Sequence, residues 1–353
     1  MRKIMFGIAV MAACALAATA ALADETSQET TSIGGKMYFD LTHISADSDG
    51  TDTDATGTGV DVKRFYVGID HKFSDMWSAN VTTDFNYVSN DSQTQVYVKK
   101  AFVQAKFDKA FILRAGSADL PWVAFVEGLY GYRYLENVLI DRAKFGTSAD
   151  WGLHAKGDLG GGMVSYAASV VNGAGYKNPS RSKSMDFEGR LSAEPVKGLV
   201  IAVGFYSGKL GKDKENDPAE HTAERFDALI AYKSAQFRAG AEYFSAKNWT
   251  QVQSTASDKA DGYSGWLSFN FTPQLAAFAR YDHVKPSKDL APDIKDNYWN
   301  VGVAYKVRKN IDFALAYKHD KVENGFMKTG NGTIGGNIDG TYNEIGIWSQ
   351  IVF

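Results

Sequence analysis

The chain has 353 residues and a net charge of −3, from 38 basic and 41 acidic side chains. That balance argues against a strongly basic nucleic-acid-binding protein, and no internal stretch reaches the eighteen apolar residues of a membrane-spanning helix. Abundant glycine (34), tyrosine (18) and phenylalanine (21), with only 7 prolines, exclude a disordered chain.

Residues 1–23 have the pattern of a secretory signal. Arg2 and Lys3 precede an apolar core, and Ala21-Leu22-Ala23 supplies a small-x-small cleavage site. Removing the signal would shift the net charge from −3 to −5 and leave no thiol, because Cys14 is the only cysteine. Cys14 as a lipid-modified residue is the alternative, but the apolar core before it would be short. We expect a polar leader over 24–32 and one β-barrel domain over 33–353.

An acidic run follows early in the mature chain, from Asp47 to Asp54. Its carboxylate and hydroxyl oxygens are ligands that a hard divalent cation accepts. The spacing is not that of an EF-hand loop, because Gly50 comes too early and no distal glutamate follows. A solvated loop is therefore the favoured interpretation, and we predict no metal site.

From residue 33 onward the dominant pattern is strict alternation of apolar and polar residues, as in 77–87, 299–307 and 311–317. Alternation predicts strands with one apolar face. Sixteen candidate strands are found, and most run ten to fourteen residues. Strands in globular proteins are usually about five or six residues long, whereas a tilted membrane-spanning strand needs about 9–11.

The connections alternate between seven short turns and eight longer loops, as expected for sixteen antiparallel strands with both termini on one side. Aromatic residues flank the short turns, and the last strand ends at Phe353. A soluble β-sandwich would have shorter strands and no strict alternation of connection lengths. We therefore predict an all-β fold, a transmembrane antiparallel barrel of about sixteen strands.

The third long connection, 118–148, is too apolar to protrude into water, so we expect it to fold into the lumen as a constriction. It holds six of the chain's aromatic residues and charges of both signs. The candidate constriction residues are Asp119, Trp122, Glu127, Tyr130, Tyr132, Arg133, Tyr134 and Glu136.

The alternation also predicts which charges face the lumen, because the apolar face of each strand must face lipid. Acidic side chains such as Asp84 and Asp282 share that inner face, so opposite charges either pair across the wall or leave an anion-attracting strip beside the loop. The second interpretation predicts a weak anion preference. The predicted pore-lining basic residues are Arg64, Lys100, Lys106, Arg114, Lys156, Arg190, Arg225, Arg238 and Arg280.

Signals for catalysis or cofactor binding are weak. Gly330-x-Gly332-x-x-Gly335 formally matches a dinucleotide fingerprint, but it lies in a loop between two predicted strands, where no helix can receive the phosphate. The sequence has no His-Glu-x-x-His motif and no serine nucleophile elbow. We expect neither enzymatic activity nor a cofactor.

Three stretches together resemble the phosphate-selective porin O and P family of Gram-negative outer membranes: Lys63–Ile69 with Trp77–Phe85, Phe111–Trp122 with Tyr134–Glu136, and Val164–Gly173. The similarity covers most of the mature chain. It implies a sixteen-stranded, trimeric porin whose third long loop forms the constriction. The family often has a basic residue before Pro-Phe at the segment matching 117–122, whereas here Asp119 stands near that position.

The expected function is passive diffusion of small hydrophilic solutes or ions, with anions or phosphate preferred, in the cell outer membrane. The expected partners are outer-membrane lipid and lipopolysaccharide, the permeating solutes or inorganic anions, and two further copies of the chain; nucleic acid is not among them. Two alternatives remain: a structural or adhesive barrel with a plugged lumen, and a sugar-selective porin in which Tyr130, Tyr132 and Tyr134 stack against the solute.

Overall fold

The computed structural model of the chain describes residues 28–88 and 93–353. The predicted signal peptide, the first residues of the predicted leader and the connection 89–92 lie outside the described residues.

The chain forms a closed antiparallel barrel of sixteen strands, as the alternation predicts. Each strand pairs with its neighbours in the chain, and the last pairs with the first, from Lys36 beside Val352 to Ser48 beside Gly340. The strands are β1 (Thr30–Ser48), β2 (Gly57–Lys72), β3 (Trp77–Val88), β4 (Gln93–Lys106), β5 (Ile112–Asp119), β6 (Ala149–Leu159), β7 (Val164–Val171), β8 (Asp186–Val196), β9 (Leu199–Gly208), β10 (Ala223–Lys233), β11 (Phe237–Lys247), β12 (Lys259–Asn270), β13 (Leu275–Lys285), β14 (Lys295–Arg308), β15 (Ile311–Glu323) and β16 (Asp339–Val352).

Three details of the strands differ from the sequence pattern. β1 begins at Thr30, inside the segment 24–32 that was expected to be a leader. A short strand, Thr51–Asp52, extends β1 into its outer loop. The glycines of the formal dinucleotide motif lie in a small hairpin, Phe326–Thr329 with Gly332–Gly335, and not between a strand and a helix.

The two faces of the wall are chemically distinct. Outward-facing side chains are apolar and exposed, such as Leu41 (51% exposed), Leu267 (52%) and Leu315 (55%). Apolar surface that encircles the whole barrel cannot be covered by the protein itself and needs a lipid environment. Aromatic rings flank the short turns as predicted, and the rings of Phe107 and Phe111 stack with their centroids 5.3 Å apart.

The connection between β5 and β6 contains two helices, α1 (Val123–Tyr130) and α2 (Leu139–Arg142). Among the residues that the structure describes, no helix has the length and apolar character needed to cross a membrane.

The acidic run of the first outer loop forms a hairpin turn. Asp49 and Gly50 both have positive φ (53° and 77°), the geometry of a two-residue turn joining Ser48 to Thr51. The Asp49 carboxylate accepts backbone N–H groups of Asn337 (2.8 Å), Ile338 (2.8 Å) and Asp339 (3.2 Å) from the last outer loop. These bonds hold the pKa of Asp49 below its ordinary value. Its oxygens therefore latch two outer loops together, and they are not free to hold a cation.

This latch predicts a pH dependence for the last outer loop. An aspartate whose pKa is lowered in the folded state contributes stability that is complete above its unfolded pKa of about 3.9 and is lost as the pH falls through the folded value. We expect Asp49→Ala to accelerate hydrogen exchange of the 337–339 amides at neutral pH. Asp52→Ala, on the same hairpin, is the matched control. Unchanged exchange in Asp49→Ala would contradict the latch.

Candidate functional site

Residues 120–148, here termed the inward loop, lie inside the barrel as the sequence predicts. Trp122, Val123, Val126 and Tyr130 are each at most 2% exposed. They belong to one buried cluster with wall residues of β10–β12, including Phe244. α1 ends at Gly131, whose φ of 82° is the left-handed conformation that glycine adopts without strain. The apolar face of the loop is therefore covered by one side of the wall.

Wall arginines fix the loop by binding its backbone. Carbonyl groups at breaks in a buried loop need donors, because an unpaired buried carbonyl is costly. Four arginines supply them: Arg190 Nε donates to Pro121 O (3.2 Å), Arg225 Nη1 to Phe145 O (2.6 Å), Arg238 Nη1 to Tyr130 O (3.1 Å) and Arg280 Nη1 to Asn137 O (2.6 Å).

Wall carboxylates bind the start of each helix. Glu188 accepts the backbone N–H of Trp122 at 3.0 Å, and Glu242 accepts that of Leu139 at 3.1 Å. Neither helix has a side-chain cap of its own. The first N–H groups of a helix lack partners within the helix. Glu188 therefore caps α1, and Glu242 caps α2.

Arg142 of α2 is the most completely buried charge of the loop. Its Nε lies 2.8 Å from Asp282, its Nη2 2.6 Å from Asp296 and its Nη1 3.0 Å from Asp320, and all four side chains are 0% exposed. The planar guanidinium matches three acceptors on the adjacent strands β13, β14 and β15. The sequence analysis placed Arg142 in the loop but not among the constriction residues. The feature of the sequence that could have indicated its role is the presence of inward-facing aspartates on three consecutive strands.

Glu136 of the inward loop forms an ion pair with a buried lysine of the wall. Its carboxylate lies 3.6 Å from Lys318 Nζ, which also binds Glu344 at 3.0 Å. Burial alone raises the pKa of Glu136, but Lys318, Arg280 and Arg142 outweigh that effect and hold the pKa below its ordinary value. Glu136 is therefore a buried anion that joins the loop to β15.

The other predicted constriction residues divide into packed and water-facing groups. Trp122, Tyr130 and Tyr134 are buried, and half-buried Tyr132 lies against Phe278 with ring centroids 4.3 Å apart. Tyr130 and Tyr134 therefore offer no face for a sugar to stack on. The charged members face the remaining lumen: Glu127 pairs with Arg133 at 2.6 Å, and Asp119 pairs with Lys100 at 2.6 Å.

The predicted pore-lining basic residues divide in the same way. All nine lie on strands that form the wall, but Arg225 and Arg280 are 3% exposed and are bonded beneath the loop. Arg190 and Arg238 are half-buried beside it. On the opposite wall, Arg64, Lys100 and Arg114 are half-exposed and Lys106 and Lys156 are exposed. Water therefore reaches the inner face of the first strands, whereas on β10–β15 the inward loop covers much of the inner face and leaves only its turn end open.

Two β-bulges turn lysines toward the lumen that the alternation of the sequence assigns to the outer face. The pairing of β1 with β2 shifts by one residue beside Lys63, and that of β3 with β4 shifts beside Lys99. An extra residue reverses the parity of a strand, so two consecutive side chains turn inward. Lys63 reaches Asp40 at 3.3 Å, and the Lys99 ammonium lies 4.7 Å from the centre of the Tyr66 ring.

A cavity of about 540 Å³ lies between the inward loop and the turn side of the barrel. Lys36 of β1 faces Glu127 and Arg133 of the loop across it. In the described part of the chain, no group of three or more histidine, cysteine, aspartate or glutamate side chains is arranged to hold a metal ion. The arrangement is suited to charge-selective passage of solutes.

A family model described as Gram-negative porin matches residues 9–325 of the chain. The match does not single out the phosphate-selective porin O and P family that the three sequence stretches resemble. No curated protein matches.

Several solved structures are similar in fold. An anion-selective porin from Comamonas acidovorans has a TM-score of 0.67 at 10% identity, covering 92% of this chain and 100% of that chain. The outer membrane channel DcaP of Acinetobacter baumannii has a TM-score of 0.65 at 11% identity, covering 94% and 99%. OmpT of Vibrio cholerae, in its trimer form, has a TM-score of 0.62 at 13% identity, covering 93% and 100%.

The Arg142 cluster predicts a large effect of one substitution on stability. Arg142→Met leaves buried Asp296 and Asp320 without a counter-charge, while Asp282 keeps Arg280 at 2.7 Å, so we expect the free energy of unfolding to fall by about 3–5 kcal/mol. Arg133→Met, on the same loop but partly exposed, is the matched control and should lower the free energy of unfolding by a smaller amount. Urea unfolding of the protein in lipid vesicles measures both. An equal loss in the two variants would contradict the dominant role of Arg142.

Proposed function

Because this chain belongs to the Gram-negative porin family, and so is an outer-membrane channel, we propose that it is a passive pore for small hydrophilic solutes with a preference for anions. The observation that carries the proposal is the asymmetry of the lumen. The inward loop packs against the wall from β8 to β15, and most cations of the opposite wall, such as Lys100, Lys106 and Lys156, remain in contact with water.

The charge of the open wall favours anions. Arg64 and Lys100 are paired with Asp84 (3.1 Å) and Asp119 (2.6 Å). Several other cations have neutral partners: Lys99 donates to the Tyr66 hydroxyl (3.3 Å), and Arg114 Nε donates to Gln104 (2.9 Å). Within the described residues, the inner-face cations of β1–β6 that form no ion pair are Lys36, Lys99, Lys106, Arg114 and Lys156, and the inner-face acids that form none are Asp70, Asp150 and Asp158. This part of the wall therefore keeps a net positive charge. Uncompensated charge of one sign in a narrow pore attracts counter-ions.

A plugged structural barrel is less consistent with this arrangement. A plug would bury the inner face on all sides, as the loop buries Asp282 and Asp320. Instead, Lys106 and Lys156 are exposed on the inner face of β4 and β6. The anion preference accords with that of the Comamonas porin, whose fold this chain shares.

We also propose that the mature protein begins at Asp24 and assembles as a homotrimer within lipid and lipopolysaccharide. The support is the small-x-small site at residues 21–23 and the shared fold with OmpT of Vibrio cholerae, which occurs in a trimer form. Native mass spectrometry of the protein extracted from outer membranes is expected to give three copies of a chain lacking residues 1–23. A monomer, or a retained signal, would contradict this part of the proposal.

Ion selectivity tests the function directly. In a planar bilayer we expect stepwise conductance and, in a potassium chloride gradient, a reversal potential of the sign for anion preference. Arg114→Gln and Lys156→Gln should each lower the anion-to-cation permeability ratio by a factor of about two to five, because a unit charge at about 4 Å in water contributes about 1 kcal/mol. Replacing chloride by phosphate then ranks the two anions.

The matched control is Lys259→Gln, because Lys259 lies on the outward face of β12. It should leave the reversal potential unchanged. Cation preference in the parent protein, unmoved by the inner-wall substitutions, would overturn the proposal.

A further inference from the structure

A second cavity, of about 510 Å³, lies at the loop end of the barrel, on the opposite side of the inward loop from the first cavity. The last residues of the inward loop and the outer loops after β7, β9 and β11 enclose it. Its volume lies within the range of small-molecule sites, about 300–1,000 Å³. Nothing in the pore function described above requires it.

The floor of this outer cavity is closed by buried groups. Leu120, Glu188 and Arg225 are each at most 3% exposed. Glu188 accepts the backbone N–H of Trp122 at 3.0 Å, and Arg225 donates to the Phe145 carbonyl at 2.6 Å. These bonds hold the loop against the wall, so the cavity is closed on that side and has the form of a pocket.

One wall of the outer cavity is an aromatic surface held in a fixed orientation. The Trp249 indole donates to the Lys144 carbonyl at 3.0 Å, and its ring lies edge-on to Tyr206 with centroids 5.0 Å apart. Tyr206 is 5% exposed, whereas Trp249 is only half-buried. The Arg225 guanidinium lies over the Trp249 ring, 5.2 Å from its centre. An indole that is anchored at its nitrogen and half-exposed can stack a flat or ring-shaped molecule on the face that Arg225 does not cover.

The rim of the outer cavity is positive. Lys212 is exposed, and Lys214 is held by the Ser180 hydroxyl at 3.3 Å and by the Arg181 carbonyl, neither of which is charged. Glu188 pairs with Arg225 at 3.4 Å, whereas Asp217 accepts the neutral Gln253 amide and keeps its charge. With Lys212 and Lys214 against Asp217, the cavity keeps a net charge of +1 toward a ligand.

We propose that the outer cavity binds a small ring-shaped organic carboxylate, such as a sugar acid or an aromatic acid, with its ring on Trp249 and its carboxylate beside Lys212 and Lys214. Binding would gather such solutes at the channel mouth before passage. Only this gathering role rests on the proposed pore function, because a carboxylate can bind in the cavity whether or not the barrel conducts.

Calorimetric titration of the purified, detergent-solubilised protein tests the site with three probes: glucuronate, benzoate and glucose. We expect at least one carboxylate to bind, and neutral glucose to bind more weakly than glucuronate. Binding of glucuronate alone assigns the pocket to sugar acids, and binding of benzoate alone assigns it to aromatic acids. No binding of either carboxylate, or equal binding of glucose and glucuronate, overturns the proposal.

Variants locate the binding. Trp249→Ala should weaken binding of the carboxylate about tenfold through loss of the stacking face, and Trp249→Phe should keep most of it. Lys212→Gln, at an exposed position, should weaken binding up to about fivefold. Lys247→Gln, exposed at the same end of the barrel outside the cavity, is the matched control. Binding unchanged by both Trp249→Ala and Lys212→Gln overturns the assignment.

Single-channel recording of the same preparation separates this proposal from the pore function. Conductance without carboxylate binding leaves the pore function intact and overturns the outer site. Carboxylate binding without conductance supports the outer site and overturns the pore function.

Discussion

The arrangement of the lumen depends on one constraint: charges buried on the inner wall need partners, and the inward loop supplies them. Asp296 and Asp320 would be costly to bury alone, and Arg142 makes their burial tolerable, while Asp282 is shared between Arg142 and Arg280 of the wall. In return, the wall supplies the donors and acceptors that an irregular buried segment lacks. This exchange fixes the side of the barrel on which the loop lies. It therefore also decides which wall cations keep contact with water.

Much of the architecture follows from periodicity in the sequence. Side chains that alternate with a period of two define the strands and the lipid face, and the apolar content of 118–148 is sufficient to predict that the segment folds inward. The alternation predicts the wrong face for Lys63 and Lys99. A single inserted residue reverses which side chains of the strand point inward, and nothing in the composition marks it. A bulge can be located only once the neighbouring strand is in register.

The roles of individual residues were harder to predict than their positions. Arg225 and Arg280 face inward as parity predicts and pair with Asp227 and Asp282, as one of the two interpretations of the charge pattern expected. Their further partners, the carbonyl groups of Phe145 and Asn137, were not predictable. Every residue has a carbonyl group, so the sequence cannot indicate which one is left without a partner. Similarly, three tyrosines at alternate positions fit a stacking platform or a packed core equally well. Burial of Tyr130 and Tyr134 decides for packing.

The Arg142 cluster has a consequence for biogenesis. Its three acceptors follow it in the chain by 140, 154 and 178 residues. A barrel that assembles strand by strand would carry the unneutralised arginine until β13, β14 and β15 had joined the sheet. The aperture would then be defined late, once the C-terminal strands are in place. A chain truncated before β15 would lack Asp320 and leave both the wall and the cluster incomplete, so the ion pairs couple completion of the wall to the shape of the opening.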